Sequence, residues 1–469
     1  MPTNDLGLKF YGVCITIRVL SRQHDGGVCP QILSNPTYEP LKSVELEYGA
    51  ELPLVLALAA DAMLANCQGP KGVRGEAAKK LITSAVVAPC EGPAIGQHVV
   101  AGDRVTIAVA GAVWQSAEIV SAVVEQLILA GVNDDDIIVL SAPPLEISTS
   151  DPGVTQCTDT THPDATKKVA RKSRAKNASV KSVVFDATID AETACLATDE
   201  EGRRLYLSRS LVDADVVIGI GEWSWNAALG GRSLEGELWP TFSRRSSQRE
   251  LTRTLAKRGR HALADWRSSM QASSWQLGLA ASVRVVAGRG NSLAAAAFGL
   301  PDSAARQARV KAAAWSPQIM GEAALTVASL GSLQDGFAAV TRAVAASARI
   351  TSPIGTICLV SCWATPPGVI FLRWRQGVPL EALVHEAIGT GDPNLISEAL
   401  QTRLFARALG ERRLVLLSQL DEGLVEEMEF TFAECGEEVQ RLAHRCESVV
   451  VLHEADRMLP QTSDADDRV

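Results

Sequence analysis

The sequence is poor in the residues from which compact metal and redox motifs are built. Only seven histidines occur in 469 residues, and no two fall within eight positions of each other. A local motif of the HExxH kind is therefore excluded. Ten cysteines are scattered, the closest pair being Cys358 and Cys362, and no CxxC occurs. Neither a zinc ribbon nor a thioredoxin-like site follows, and these thiols read as reduced, small buried hydrophobes. Positive charge is also short. Forty-five Lys and Arg stand against 54 Asp and Glu, a net charge of −9, so no global attraction to nucleic acid or anionic lipid is expected. The most apolar early stretch, Leu52 to Leu64, is interrupted by Asp61 and is too short to span a bilayer. The first residues show no basic region followed by an apolar run. The expectation is a soluble cytoplasmic protein. A P-loop, serine nucleophile elbow, kinase signature set and EF-hand loop are all missing.

What is present is a globular composition, 46% hydrophobic and 21% charged, at a length that suits two or three domains. Short β-branched runs alternate with longer Ala-rich runs. Arg104–Gly111 reads as a buried strand, Ser116–Ala130 as a helix stopped by Gly131, and Ile137–Leu140 as the next strand. This is a βαβ unit, which implies parallel sheet. Further strands are expected at Ser182–Ile189, Ala214–Gly221, Ser282–Val286, Leu325–Leu330, Thr356–Cys362, Arg413–Ser418 and Ser448–His453. Helices are expected at Ser292–Ala314, Gly336–Ser347 and Thr431–Cys446. The fold class is α/β: two lobes with mostly parallel sheets and a cleft between them, the boundary falling near Gln271–Gly278. The first lobe covers 1–270, with a flexible basic insertion at 148–181 that holds seven Lys or Arg from Lys167 to Lys181. The second covers 278–458, and 459–469 reads as a disordered acidic tail.

Candidate chemistry is sparse. The strand ending at Gly221 runs into a segment closing on Gly230-Gly231-Arg232-Ser233, which reads either as a tight turn or as backbone N–H groups and a guanidinium offered to an anion. Ala287-Gly288-Arg289-Gly290-Asn291 lacks the third Gly of a dinucleotide fingerprint and reads as a turn. Seven basic residues between Arg244 and Arg260 read as a solvated helix face or as an anion site opening on the cleft.

The order of these segments resembles the nickel-dependent lactate racemase family, the group built on a nickel-pincer nucleotide. The resemblance rests on Leu211-Val-Asp-Ala-Asp-Val-Val-Ile-Gly219 followed by Gly230-Gly231-Arg232, on the helix start Leu333–Arg342, on Gly355-Thr356-Ile357, and on a closing unit marked by Leu404–Arg407, Val415–Ser418 and Asp421. It implies a two-lobed fold and hydride transfer between a 2-hydroxy acid and a pyridinium ring. Two catalytic His act as bases, a Lys after Gly-Gly-Arg anchors the cofactor and a further His ligates nickel.

At the implied positions the residues differ. Ala110–Trp114 and Ser141–Leu145 hold no His, the loop after Gly221 holds Glu222 to Asn226, and Ser233 stands where the Lys is implied. Arg249 is nearest the nickel position and His261 lies beyond it. The substrate-facing Tyr and Lys fall on Ala338 and Arg342. Only Gly230, Gly231, Arg232 and Arg342 keep family-like chemistry. Losing paired bases costs roughly 10²–10⁴ in rate for each, and a Ser cannot replace an amine anchor. The sequence therefore points to a lactate-racemase-like protein whose classical activity is lost, with no metal ligands and retention of the nickel-pincer nucleotide in doubt. The weak catalytic candidates are Glu222, His261 and Arg342. The cofactor-binding candidates are Gly230, Gly231, Arg232 and Ser233. The expected partner is a small anionic ligand in the interlobe cleft, with no membrane and no nucleic acid. A non-catalytic binding or scaffold protein is the first alternative, and a racemase or epimerase acting on another 2-hydroxy acid is the second. Trp223, Trp225 and Trp239 are expected to make the cleft apolar or to plug it.

Overall fold

A computed structural model describes residues 42–143, 180–198, 202, 204–234, 236–331 and 336–463. The basic insertion up to residue 179, Leu333 to Asp335 and the last six residues lie outside the described residues. Two six-stranded sheets organise the rest. The first runs, in spatial order, Ser292–Gly299, Ala281–Gly288, Val216–Glu222, Val105–Ala110, Ile137–Ser141 and Lys181–Val184. Every neighbour pair is parallel except the hairpin Ala281–Gly288/Ser292–Gly299. The second runs Thr431–Phe432, Arg413–Leu417, Thr351–Val360, Ala323–Ser329, Val449–Leu452 and Met63–Cys67, all parallel. The central strands read as continuous apolar runs because helices cover both faces. Val105–Ala110 is buried at all six positions.

Alternate residues of each strand enter different cores. On the first sheet Ile107, Ile218 and Val283 pack with the helices Glu76–Val87 and Ser116–Leu129, while Ala108 and Val217 face Trp239, Leu251 and Leu255. On the second, Leu325 and Val327 pack beneath the hairpin Lys42–Leu46/Leu54–Leu58. Ala328 and Leu359 meet the helix Phe337–Ala348. One core joins both sheets: Trp223, Val286 and Ala297 from the first share it with Trp315, Phe337 and Trp363. The strands at 281–299 follow the expected 271–278 boundary yet complete the first sheet, and Met63–Cys67 from the N-terminal part completes the second.

Three local expectations are corrected. The Ala-rich stretch Ser292–Ala314 is not one helix. Ser292–Gly299 is a strand, Pro301–Lys311 a helix with Pro at its first turn, and Ala313–Trp315 a short 3-10 turn. Ala favours helix only weakly, and the hairpin overrides it. Gly290 and Asn291 take left-handed φ of 59° and 62°, the geometry a tight hairpin turn needs. With period two, Ala296 and Phe298 then face one core and Ala297 the other. Thr431–Cys446 divides into an edge strand, Thr431–Phe432, and a helix, Gly436–His444. At the C-terminal end Gln461–Thr462 pairs in parallel with Gln318–Ile319, so the described start of the expected tail is ordered.

Two glycines are obligatory where the first sheet meets the chain after the Gly231–Arg232 strand. A Cβ on Gly221 would lie 2.5 Å from the Gly236 carbonyl oxygen, and one on Gly236, at φ 79°, would lie 2.6 Å from the Glu222 carbonyl oxygen. Gly389, exposed near the end of the Leu380–Thr390 helix, has open space around it. Gly236→Ala should therefore destabilise the protein by about 2 kcal/mol or more, and Gly389→Ala should stabilise it by about 0.5 kcal/mol. Urea unfolding midpoints of the two variants check the opposite signs.

Candidate functional site

The strand Val216–Glu222 delivers the chain to a small hairpin, Trp225–Asn226 against Gly231–Arg232. Asn226 closes its turn by accepting the Leu229 N–H on Oδ1 at 3.0 Å, and Gly230 supplies φ 75°. Ser233 is buried, and its N–H donates to the Ser224 carbonyl at 2.9 Å. The hairpin thus projects Arg232 and Ser233 into a cavity of about 1060 Å³. Leu263–Gln276 contributes Arg267, Met270, Gln271 and Trp275 to its wall, Ala281–Gly288 contributes Arg284, and Pro301–Lys311 contributes Asp302 and Arg306.

A single carboxylate organises this corner. Glu237 accepts from Arg232 and, at 3.4 Å, from Arg284, whose other terminal nitrogen donates to the Gly236 carbonyl at 2.6 Å. The side chains of Arg284 and Glu237 are 8% and 13% exposed. Burial pushes the Glu237 carboxyl up, but the Arg284 and Arg232 guanidiniums together outweigh it and hold the group below the usual range. Arg232 moves down, first through burial and then through repulsion from Arg284 and Arg267, against the pull of Glu237. Arg267 donates to the Arg232 carbonyl at 2.9 Å and is in ion-pair range of no carboxylate among the described residues. Arg306 is neutralised by Glu91 at 3.1 Å. Two guanidiniums on one carboxylate, with Arg267 beside them, leave net positive charge next to an accessible volume.

Arg232 and Ser233 line this cavity, whereas Glu222, His261 and Arg342 do not. Glu222 ends its strand half-buried against Gly236. His261 is exposed in the turn Gly259–Ala262. Arg342, on the Phe337–Ala348 helix, donates to the Asp456 carbonyl at 3.2 Å. Arg249, Arg253 and Lys257 form the exposed face of Arg245–Arg258, and Leu251 and Leu255 its buried one. Trp223 and Trp225 meet edge to face at 4.6 Å and fill the core between the sheets. Trp239 instead stacks on Trp266 at 5.3 Å on the far face of the first sheet. Sequence reasoning missed Glu237, Arg267, Arg284 and Trp275. The one legible signal was Arg284, a charge inside an otherwise apolar strand.

The cavity lining does not suit a nickel-pincer nucleotide. Ser233 stands where an amine anchor is implied, and among the described residues no Lys, His or Cys lines the cavity. Among the described residues no group of three His, Cys, Asp or Glu could hold a metal ion.

A second polar cluster lies where strand ends of both sheets converge. His453 is buried, with Nε2 2.8 Å from Asn66 Oδ1 and 3.3 Å from Gln68 Nε2. Burial and then the nearby Arg289 guanidinium lower its pKa to about 4. Glu454 accepts the Gly290 N–H at 2.9 Å and the Arg457 guanidinium at 3.1 Å. Arg457 also donates to the Gly288 carbonyl and to Asn291 Oδ1, both at 3.3 Å. These bonds tie the 288–291 hairpin of the first sheet to the segment leaving the second.

Two outcomes follow. Glu237→Gln leaves the buried Arg284 and the part-exposed Arg232 without a counter-charge and should cost about 2 kcal/mol. Because the folded carboxyl titrates below its unfolded value, its stabilisation is present above the ordinary Glu range and is lost as pH falls through the folded value, a loss the variant should not show. For His453 the folded pKa lies below 6.5, so its neutral form stabilises the fold fully above pH 6.5 and progressively less down to pH 4. Wild type should lose about 3 kcal/mol over that window, and His453→Gln should flatten the loss. Denaturant titrations at a series of pH values measure both.

No protein-family model matches the chain, and no curated protein does. Among solved structures it is similar to the lactate racemase apoprotein from Thermoanaerobacterium thermosaccharolyticum, with 14% identity and a TM-score of 0.66 over 90% of this chain and 100% of that one. It is also similar to a structural-genomics target protein from Thermotoga maritima, with 11% identity and a TM-score of 0.54 over 84% of this chain and 100% of that one. At these identities the likeness establishes the fold: the chain is an α/β protein of lactate-racemase-like architecture.

Proposed function

We propose that this chain is a diverged, lactate-racemase-like protein that binds a small anion beside Arg232 and Arg267 and does not racemise lactate by a two-histidine, nickel-pincer route. The observation that carries this reading is Arg267. Its guanidinium stands at a cavity of about 1060 Å³ with no carboxylate partner among the described residues, while Arg232 and Arg284 share Glu237. A cation held this way gains most from an anion that brings its own charge. Among the described residues no His lines the cavity, so it offers no counterpart to a pair of histidine bases. A racemase or epimerase built on Glu222, Arg232 and His261 is supported less well, because of the three only Arg232 lines this cavity.

Phosphate, sulfate and lactate in millimolar amounts should raise the melting temperature of the wild-type chain, and Arg267→Met should abolish most of that rise. Deuterium exchange at the α-carbon of a panel of 2-hydroxy acids should be absent. Exchange above background, or stabilisation that is insensitive to Arg267, would contradict the reading.

A further inference from the structure

The cavity is longer than an inorganic anion needs. Arg267, Met270, Gln271, Ser274 and Trp275 all line it from the single helix Leu263–Gln276. Their spacing of three, four, seven and eight places them on one helical face. Arg267 and Trp275 lie eight residues apart, about 12 Å along the axis at 1.5 Å per residue. Trp275 is 79% exposed, and the half-open Leu300 (41%) also lines the cavity. By contrast Trp223, Trp239 and Trp266 are packed away, at 3%, 5% and 7% exposed. An indole left in water forgoes the burial that its large apolar area would bring, so its face is open to a planar partner. Gln271 and Ser274 provide hydrogen-bonding groups between the two ends.

We infer that the ligand is an amphiphilic anion, a planar aromatic ring joined to an anionic head. The head sits at Arg267 and Arg232, and the ring stacks on Trp275. This rests on the anion-binding reading above and deepens it to a ligand class. A bare anion would leave the Trp275 end empty, and a neutral aromatic would leave the Arg267 charge uncompensated. An aryl carboxylate and a nucleoside monophosphate share the required chemistry, and they form separate arms of the test.

Isothermal titration of the full chain with acetate, biphenyl-4-carboxylate, biphenyl-4-carboxamide and adenosine 5′-monophosphate distinguishes the possibilities. At least one ring-bearing anion should bind tenfold or more tighter than acetate, and the neutral carboxamide should bind weakly. Trp275→Ala should lower the ratio of aryl-anion to acetate affinity about five- to tenfold, and Trp275→Phe should restore most of it. Arg267→Met should erase the preference for carboxylate over carboxamide. If acetate binds through Arg267 but the ring adds nothing and Trp275→Ala leaves the ratio as in wild type, this inference fails while anion binding stands. If no probe binds through Arg267, both fail. A change of oligomeric state on size exclusion for Trp275→Ala would also overturn the inference, because it would assign the exposed indole to self-association.

Discussion

The corner of the molecule with most chemical potential depends on one carboxylate facing two guanidiniums. Glu237 holds Arg232 on the small hairpin and Arg284 on the adjacent strand, so it fixes the hairpin against the first sheet. The grip is possible because Gly221 and Gly236 let two backbones approach within a distance that forbids a Cβ. Arg284 then reaches the Gly236 carbonyl and closes the contact. Taking three such charges out of water is costly, and the cost is offset only while all of them stay paired. Arg267 is the member left over: it donates to the Arg232 carbonyl and has no carboxylate partner among the described residues.

The two sheets are joined by different chemistry on their facing sides. Trp223 and Trp225 enter a core shared with Trp315, Phe337 and Trp363. Beside it runs the polar bridge from Glu454 and Arg457 to the 288–291 hairpin. An apolar core supplies most of the association energy without direction, and directional hydrogen bonds select one arrangement. Together they leave the space between the sheets filled at this point, and the available volume lies to the side, between the Leu263–Gln276 and Pro301–Lys311 helices.

Much of the fold was legible in the sequence. Continuous β-branched runs such as Val105–Ala110 and Val449–Leu452 announced buried parallel strands, and the helices between them announced the crossovers. The alanines of Ser292–Gly299 were not legible as a strand. They carry no period of their own, and their state is set by the hairpin partner. The site was half legible. Arg232 and Ser233 could be singled out because a Gly-Gly turn precedes them. Arg267 and Trp275 could not, since helical spacing alone does not say which face is left uncovered by its neighbours. The contact between Glu237 and Arg284, 47 residues apart, depends on where the sheet places them.

The strand exchange between the sheets also has a consequence in time. Asn66, on the Met63–Cys67 strand, meets His453 across 387 residues of chain, and among the described residues that strand's only sheet neighbour is Val449–Leu452. On the ribosome the early strand emerges long before its partner exists. Its ladder groups and apolar face must wait, hydrated or chaperoned, until Val449–Leu452 has been made. Completion of the second sheet is thus coupled to synthesis of the Val449–Leu452 strand, far from its edge strand in sequence.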